Sequence, residues 1–166
     1  APENLATLAQ KLDLPIVLEN DAAAAAVGEG FYGAGRGGEN FAFLQFGVGL
    51  GSGFILKGDP YTGSQGNAGE LGHVVVELNG EPCPCGNSGC LERYLSIDAL
   101  CRHLGLPRDD RTTFTTISEL VDAKDEKIIG WIKAVIPRIH QAVNVLELML
   151  DPETIIVGGT APENFL

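Results

Sequence analysis

The apolar positions of this chain follow two rhythms, helical spacing and short unbroken runs, and the two alternate along its length. Leu5, Leu8, Ala9 and Leu12 recur at helical spacing, and Pro15 then opens a short apolar run, 16–18, read as a buried strand. Asn20 and Asp21, both good capping residues, precede the alanine run 22–26, a strong helix former. Residues 33–38 are a glycine loop. Residues 41–46 and 53–57 read as two strands of a hairpin around a glycine-rich turn. Loop follows to Gly69, then a strand over 73–78 with three consecutive valines, and a helix over 92–104. The clearest period lies in 125–150. There Ile128, Ile129, Ile132, Val135, Ile136, Ile139, Val143, Leu146 and Leu150 predict one stripe of a long core helix that Pro137 should kink. Residues 154–157 read as a buried strand, with Gly158 and Gly159 as the turn after it. Strands flanking helices with one long crossover predict an α/β fold with a mixed sheet.

Composition narrows what such a fold can do. A net charge of −11 and a pI near 4.5 argue against a nucleic-acid surface on this segment, because phosphate neutralisation needs a clustered basic face. Residues 1–13 lack a cationic start followed by an apolar core, so no signal peptide is read. The longest apolar region, 41–56, is broken by four glycines and is no membrane span. A cytoplasmic setting is the default expectation. There, clustered cysteines hold metal or do redox work more often than they pair. Both ends read as cuts through something longer.

The densest chemistry lies in Cys83-Pro-Cys-Gly-Asn-Ser-Gly-Cys-Leu-Glu92, which holds three of the four cysteines. Gly86 and Gly89 permit the positive φ angles that let one short loop wrap several sulfurs around one ion. Zinc takes four ligands in a tetrahedron, and a site with no open position is structural. Cys101 falls in a predicted apolar helix and reads as a small core residue. The nearest imidazole is His73, and a chain that doubles back after it completes a Cys3His set with Cys83, Cys85 and Cys90. A disulfide and three idle thiols are the other readings of this spacing. Glu92 is surplus to a full zinc shell.

Gly69-Glu-Leu-Gly-His73 followed by Cys83-x-Cys-Gly-x-x-Gly-Cys-x-Glu92 is similar to the signature of the ROK family. That family comprises bacterial sugar kinases and sugar-responsive repressors sharing a two-lobed, actin-like ATPase (ribonuclease H-like) fold. Glu19-Asn-Asp-Ala22, the glycine turn 47–53, Gly63-x-x-Gly-x-Ala-Gly69 and Asp151-Pro-Glu-Thr-Ile-Ile-Val-Gly-Gly159 follow in the family's order, over nearly the whole chain. The resemblance implies that residues 1–166 are most of the C-terminal, sugar- and zinc-binding lobe. The N-terminal lobe and any helix-turn-helix domain would lie outside this chain. It also implies that Asn20, Asp21, Glu70, His73 and Glu92 hydrogen-bond the hydroxyls of a sugar. His73 would give one ring nitrogen to zinc and the other to the ligand. In the family's kinases, the residue matching Asp21 takes the proton from the hydroxyl that attacks ATP. Read locally, Asp21 is equally a helix cap, Glu70 a solvated acid and His73 a core histidine. Gly47, Gly49 and Gly51 would contact nucleotide phosphate, and Gly158 and Gly159 its adenosine side; without a ligand the first three are a plain hairpin turn.

Three departures bear on the branch. The kinases commonly carry threonine where this chain has Val48, and Ser-Gly where it has Ser96-Ile-Asp-Ala-Leu100, which looks more like the repressors. The family's first phosphate motif belongs to the lobe upstream of Ala1. The expectation is therefore the sugar-binding effector domain of a ROK transcriptional regulator, taking a hexose or amino sugar beside a structural Zn2+. The alternative is an ATP- and Mg2+-dependent sugar kinase of the glucokinase, fructokinase or N-acetyl amino sugar kinase type, with Asp21 as base. A zinc-stabilised module with an inactive pocket is the third reading. The resemblance further implies a homo-oligomer, dimer or tetramer, with no membrane partner and with DNA reached only through an N-terminal domain. Without its first lobe, the fragment is expected to turn over no ATP.

Overall fold

The computed structural model describes residues 5–16, 18–108, 111–162, 164 and 165. Four strands form one mixed sheet in the order β3-β2-β1-β4. β1 (Phe41–Phe46) and β2 (Leu50–Leu56) are an antiparallel hairpin, and β3 (Asp59–Pro60) adds a short edge. β4 (Thr154–Gly159) lies parallel to β1 on its other side. A parallel neighbour needs a crossover, and the chain between β3 and β4 supplies it with three helices, α3 (Ile97–Leu104), α4 (Arg111–Asp122) and α5 (Glu126–Leu150). Two helices precede the sheet, α1 (Leu5–Leu12) and α2 (Asp21–Tyr32). The α/β fold with a mixed sheet is thus as the sequence predicts.

The parity of β1 sorts the core into two halves. Phe41 and Phe43 join Ala26, Ile55 and Ile156 in one cluster, while Ala42, Leu44 and Phe46 point into the larger cluster with Leu91, Leu100, Trp131 and Leu146. A strand buried on both faces reads as a continuous apolar run, and this one does. Gln45 shares the parity of Phe41 and Phe43, which aims it at the start of α2.

α2 sits unusually close to β2 because both surfaces are small. A Cβ on Gly53 would stand 2.5 Å from the Ala22 carbonyl oxygen and 2.8 Å from the Ala26 methyl. One on Gly51 would stand 2.8 Å from the Ala22 methyl. The alanine run and two glycines of the 47–53 motif are one interface.

Several expectations are corrected. Residues 16–18 form no strand where described: Ile16 and Leu18 are irregular, Leu18 is 78% exposed, and Val17 lies outside the described residues. So short a segment has no ladder partner to hold it extended. The valines of 73–78 make only one bridge, Val75 to Cys90, after a 3-10 turn over Leu71–His73, and the backbone reverses at Asn79 with φ 58°. The helix expected over 92–104 is a 3-10 turn, Leu91–Arg93, followed by α3, which Ser96 caps by accepting from the Ala99 N–H. β2 begins at Leu50, so Gly51 lies in a strand rather than a turn; Gly158 and Gly159 likewise lie inside β4. α4 has no counterpart in the periodicity reading. α5 continues through Pro137, and its buried face is Ile128, Trp131, Val135, Ala142 and Leu146. Ile129, Ile132 and Ile136 are partly exposed, so the expected stripe was rotated. No helix among the described residues is long and apolar enough to cross a membrane.

The α2–β2 contact predicts opposite outcomes for two glycine substitutions. Gly53→Ala should cost roughly 1–3 kcal/mol through overpacking. Gly130→Ala, in α5 with open space around it, should add up to about 1 kcal/mol. Urea denaturation midpoints of the two variants check this; equal effects would contradict the close packing.

Candidate functional site

The segment after β3 is built by its glycines. Gly86 has φ 100° and Gly89 φ 80°; a Cβ on Gly89 would stand 1.7 Å from the Glu77 carbonyl oxygen. The Gly89 carbonyl accepts from the Val76 N–H at 2.9 Å, and the Leu91 N–H donates to the Val74 carbonyl at 2.9 Å. These bonds fold the cysteine loop back onto the chain that follows His73.

The result is one cluster. The Nδ1 or Nε2 of His73 and the sulfurs of Cys83, Cys85 and Cys90 all lie within 4.8 Å of one another. Cys83 Sγ is 3.6 Å from His73 Nδ1, and Cys85 Sγ is 3.6 Å from Cys90 Sγ. A disulfide needs about 2.05 Å, so these thiols are unpaired. Tetrahedral zinc with ligand bonds of about 2.3 Å has S···S edges of about 3.8 Å, which the cluster matches. Burial pushes the Cys90 thiol up to about 12, with the neighbouring sulfurs adding to the rise. A hydrogen bond from the Asn87 backbone, and next the Cys83 thiol, lowers Cys85. Three sulfurs this close repel one another as thiolates, and a bound cation reverses that balance by deprotonating its ligands outright. The donor set therefore fits a metal ion with a closed shell. Cys101 lies outside it, buried in α3, as the sequence reading has it.

A cleft of about 390 Å3 opens beside the cluster, walled by Asp21, Glu70, His73, Glu92 and the Gly47–Gly49 turn. Glu92 stands on the 3-10 turn two residues after Cys90, and its Oε2 accepts from the Leu50 N–H at 3.0 Å. Gly49 leaves room for it: a Cβ there would stand 2.5 Å from Glu92 Oε2. Below, the Ser96 hydroxyl donates to the Glu92 carbonyl at 2.9 Å. His73 turns Nδ1 toward Cys83 while Nε2 stands 3.6 Å from Glu70 Oε2, so one ring nitrogen faces the sulfurs and the other a cleft acid.

At the far wall, Asn20 rather than Asp21 caps α2. Its Oδ1 accepts from the Ala22 and Ala23 N–H groups at 2.9 and 3.1 Å. Asp21, the first helical residue, accepts from the Gln45 side-chain amide at 3.0 Å through Oδ2. Asp21, Glu70, His73 and Glu92 are thus brought together, with Gly47, Gly49 and Gly51 along the floor. Asn20, Gly158 and Gly159 are not on the cleft wall. A Cβ on Gly159 would stand 2.0 Å from the Phe46 carbonyl oxygen, so this glycine is needed for β4 to approach β1. Gln45, Val48 and Thr160 also line the cleft, and sequence reasoning singled out only Val48. Strand parity would have revealed Gln45, a lone polar residue in an apolar run; nothing local marks Thr160.

The ROK family profile matches residues 4–163. The chain is 32% identical over 167 residues to a glucokinase of Halalkalibacterium halodurans, covering 92% of this chain and 51% of that protein. It is 34% identical over 119 residues to the xylose repressor of Bacillus subtilis, covering 72% of this chain and 31% of the repressor. The crystal structure of a ROK family glucokinase from Streptomyces griseus in complex with glucose and AMPPNP matches with a TM-score of 0.80 and 33% identity, over 93% of this chain and 55% of that one. The chain spans about half the length of these two glucokinases, and less of the repressor. Kinases and repressors both stand among its relatives.

The four-donor cluster makes a spectroscopic prediction. Co2+ added to metal-free protein should produce the thiolate-to-metal charge-transfer absorption of a tetrahedral sulfur-rich site, with Cys90→Ser weakening it. An octahedral spectrum, unchanged in that variant, would place the ion elsewhere.

Proposed function

Since the chain belongs to the ROK family, we propose that it is the sugar-binding effector domain of a ROK transcriptional regulator. A hexose or amino sugar would occupy the cleft beside a structural zinc held by His73, Cys83, Cys85 and Cys90. The observation that carries this reading is the position of Glu92. A carboxylate two residues from a metal ligand, held by the Leu50 amide, is a fixed acceptor for two hydroxyls at once. Glu70 and Asp21 supply further acceptors on the cleft wall. Zinc on Nδ1 fixes His73 in the tautomer that donates from Nε2 into the cleft. A sugar needs this density of convergent polar groups.

The regulator reading, rather than the kinase, rests on Val48. It stands half-exposed on the cleft wall, where its methyls offer no hydrogen-bond donor to a transferring phosphate. In a regulator, ligand binding acts by its differential affinity for two arrangements of the protein, and DNA would be reached through a further domain. Two observations favour the kinase as second reading. Asp21 stands on the cleft wall with its carboxylate oriented by the Ala22 N–H at Oδ1 and the Gln45 amide at Oδ2, a held acceptor that could serve as a base. Thr160 also brings a hydroxyl to the turn, 3.2 Å from where a Gly47 side chain would begin. ATP and Mg2+ would then lie along Gly47–Gly49, with Gly51, Gly158 and Gly159 shaping the backbone beneath.

Elemental analysis of the full-length protein, purified without chelator, should give about one zinc per chain. Calorimetry should show hexose or N-acyl amino sugar binding that Glu92→Gln weakens by roughly tenfold, the worth of a charge-assisted hydrogen bond; unchanged affinity would move the site elsewhere. With ATP, Mg2+ and a sugar that binds, ADP should stay at background. Sustained turnover abolished by Asp21→Asn would reverse the order of the two readings.

A further inference from the structure

On the other side of the turn that carries Glu92 lies a second cavity of about 410 Å3. Arg93, Arg102, Arg138 and His103 line it, with Tyr94 and Trp131 as its aromatic residues. Glu81 is the one acid on the lining. This is an unexpected concentration of cations, because the whole chain holds only eleven Lys and Arg against 22 acids.

The hydrogen-bond accounting singles out Arg93. Asp98, mostly buried, is in direct contact with the guanidiniums of Arg102 and Arg108. Arg93 reaches the same carboxylate only at 3.6 Å, and Glu81, half-exposed, at 3.8 Å, both beyond hydrogen-bonding distance. Its Nε is buried with no partner. The side chain is only 19% exposed, so water replaces little of what is missing. A guanidinium carries five donors, and leaving them unmet in a desolvated place is costly. Arg138 is better served, donating through Nε to Glu77 at 3.2 Å, with its guanidinium 4.3 Å from the Tyr94 ring centroid. That stacking holds a planar cation at the cavity edge.

We infer that this cavity is a binding site for a small phosphate monoester, with Arg93 as its central ligand. Arg93 brings the unmet donors. Arg102, tied to Asp98 and the Arg93 carbonyl, and Arg138, tied to Glu77 and the Ala134 carbonyl, add positive charge around it. That setting favours a dianion over a singly charged carboxylate. The aromatic wall receives the organic part of the ligand. The site is distinct from the sugar cleft and does not depend on its assignment. Glu92 and Arg93 are consecutive, and each supplies one side of the same 3-10 turn.

The test uses the full-length protein titrated calorimetrically with inorganic phosphate, phenyl phosphate and acetate. Phenyl phosphate should bind most tightly, phosphate next and acetate least. Arg93→Gln should weaken both phosphates by roughly tenfold or more, in keeping with the loss of charge-assisted bonds. Arg138→Lys, which keeps the charge but loses the fork and the stacking, should weaken them less. Without phosphate, Arg93→Gln should melt no lower than the parent, since it removes an under-partnered cation; added phosphate should raise the parent's Tm and not the variant's. An Arg93→Gln protein that unfolds or melts well below the parent would show the arginine to be a structural tie and overturn the assignment. So would acetate binding as tightly as phosphate, or phosphate binding that survives the substitution.

Discussion

Four ligand atoms drawn within 4.8 Å of one another are the constraint on which residues 71–96 depend. This stretch contains two 3-10 turns and isolated bridges, but no helix and no strand ladder. Ordering a backbone costs about 1–2 kcal/mol per residue, and here few regular hydrogen bonds offset it. Cys90 and Leu91 are fully buried and lend some apolar support, yet Cys85 is exposed and Gly86 has open space around it. A metal held by this cluster would supply what a core otherwise would, because ligand binding and folding share one free energy in such sites. The consequence for the cleft is direct. Glu92 and His73 belong to the loop the cluster organises, so whatever loosens the sulfurs also loosens two of the four polar groups facing the ligand space.

The opposite wall is organised by absence of side chains. Gly51 and Gly53 let the alanine face of α2 descend onto β2, and that descent carries Asp21 to Gln45. A glycine-rich motif that reads as a phosphate-binding turn therefore divides in two. Gly47 and Gly49 serve the cleft, Gly53 serves helix packing, and Gly51 does both. Gly49 has a further part, since only a residue without Cβ leaves the Glu92 carboxylate free to accept from Leu50.

The legibility of these features in the sequence follows their range. The four-residue Cys/His cluster was readable because three of its members lie in one loop and glycines mark its reversals. The β1–β2 hairpin and the long helix were readable because burial on two faces, or along one stripe, repeats at fixed spacing. The extended reading of 73–78 failed because three valines express a strand preference that the loop return at Asn79 and Gly89 overrides. The stripe of α5 was misplaced because isoleucines at 129, 132 and 136 compete with a face that includes Trp131 and Ala142. Asn20 and Asp21 are equally good caps on paper, and only the hydrogen bonds separate a capping residue from a cleft residue. Gln45, Thr160 and the arginine cavity arise from contacts between distant segments, which no local pattern records.

Recognition and phosphoryl transfer make different demands on this cleft, and the architecture separates them. Asp21, Glu70, His73 and Glu92 present fixed acceptors and one donor, a set suited to hydroxyl groups whether or not a reaction follows. Transfer adds the need to stabilise charge that appears on phosphate oxygens, which in this cleft would fall to donors at the Gly47–Gly49 turn. Val48 occupies the middle of that turn with methyl groups. One residue there could remove the second capacity and leave the first intact, because the polar partners described for the four cleft groups do not include Val48: Glu92 is held from Leu50 and Ser96, Asp21 from Gln45, His73 from the sulfurs, and Glu70 faces His73. Under the proposal above, such a division would let the chain recognise a sugar without transferring phosphate to it.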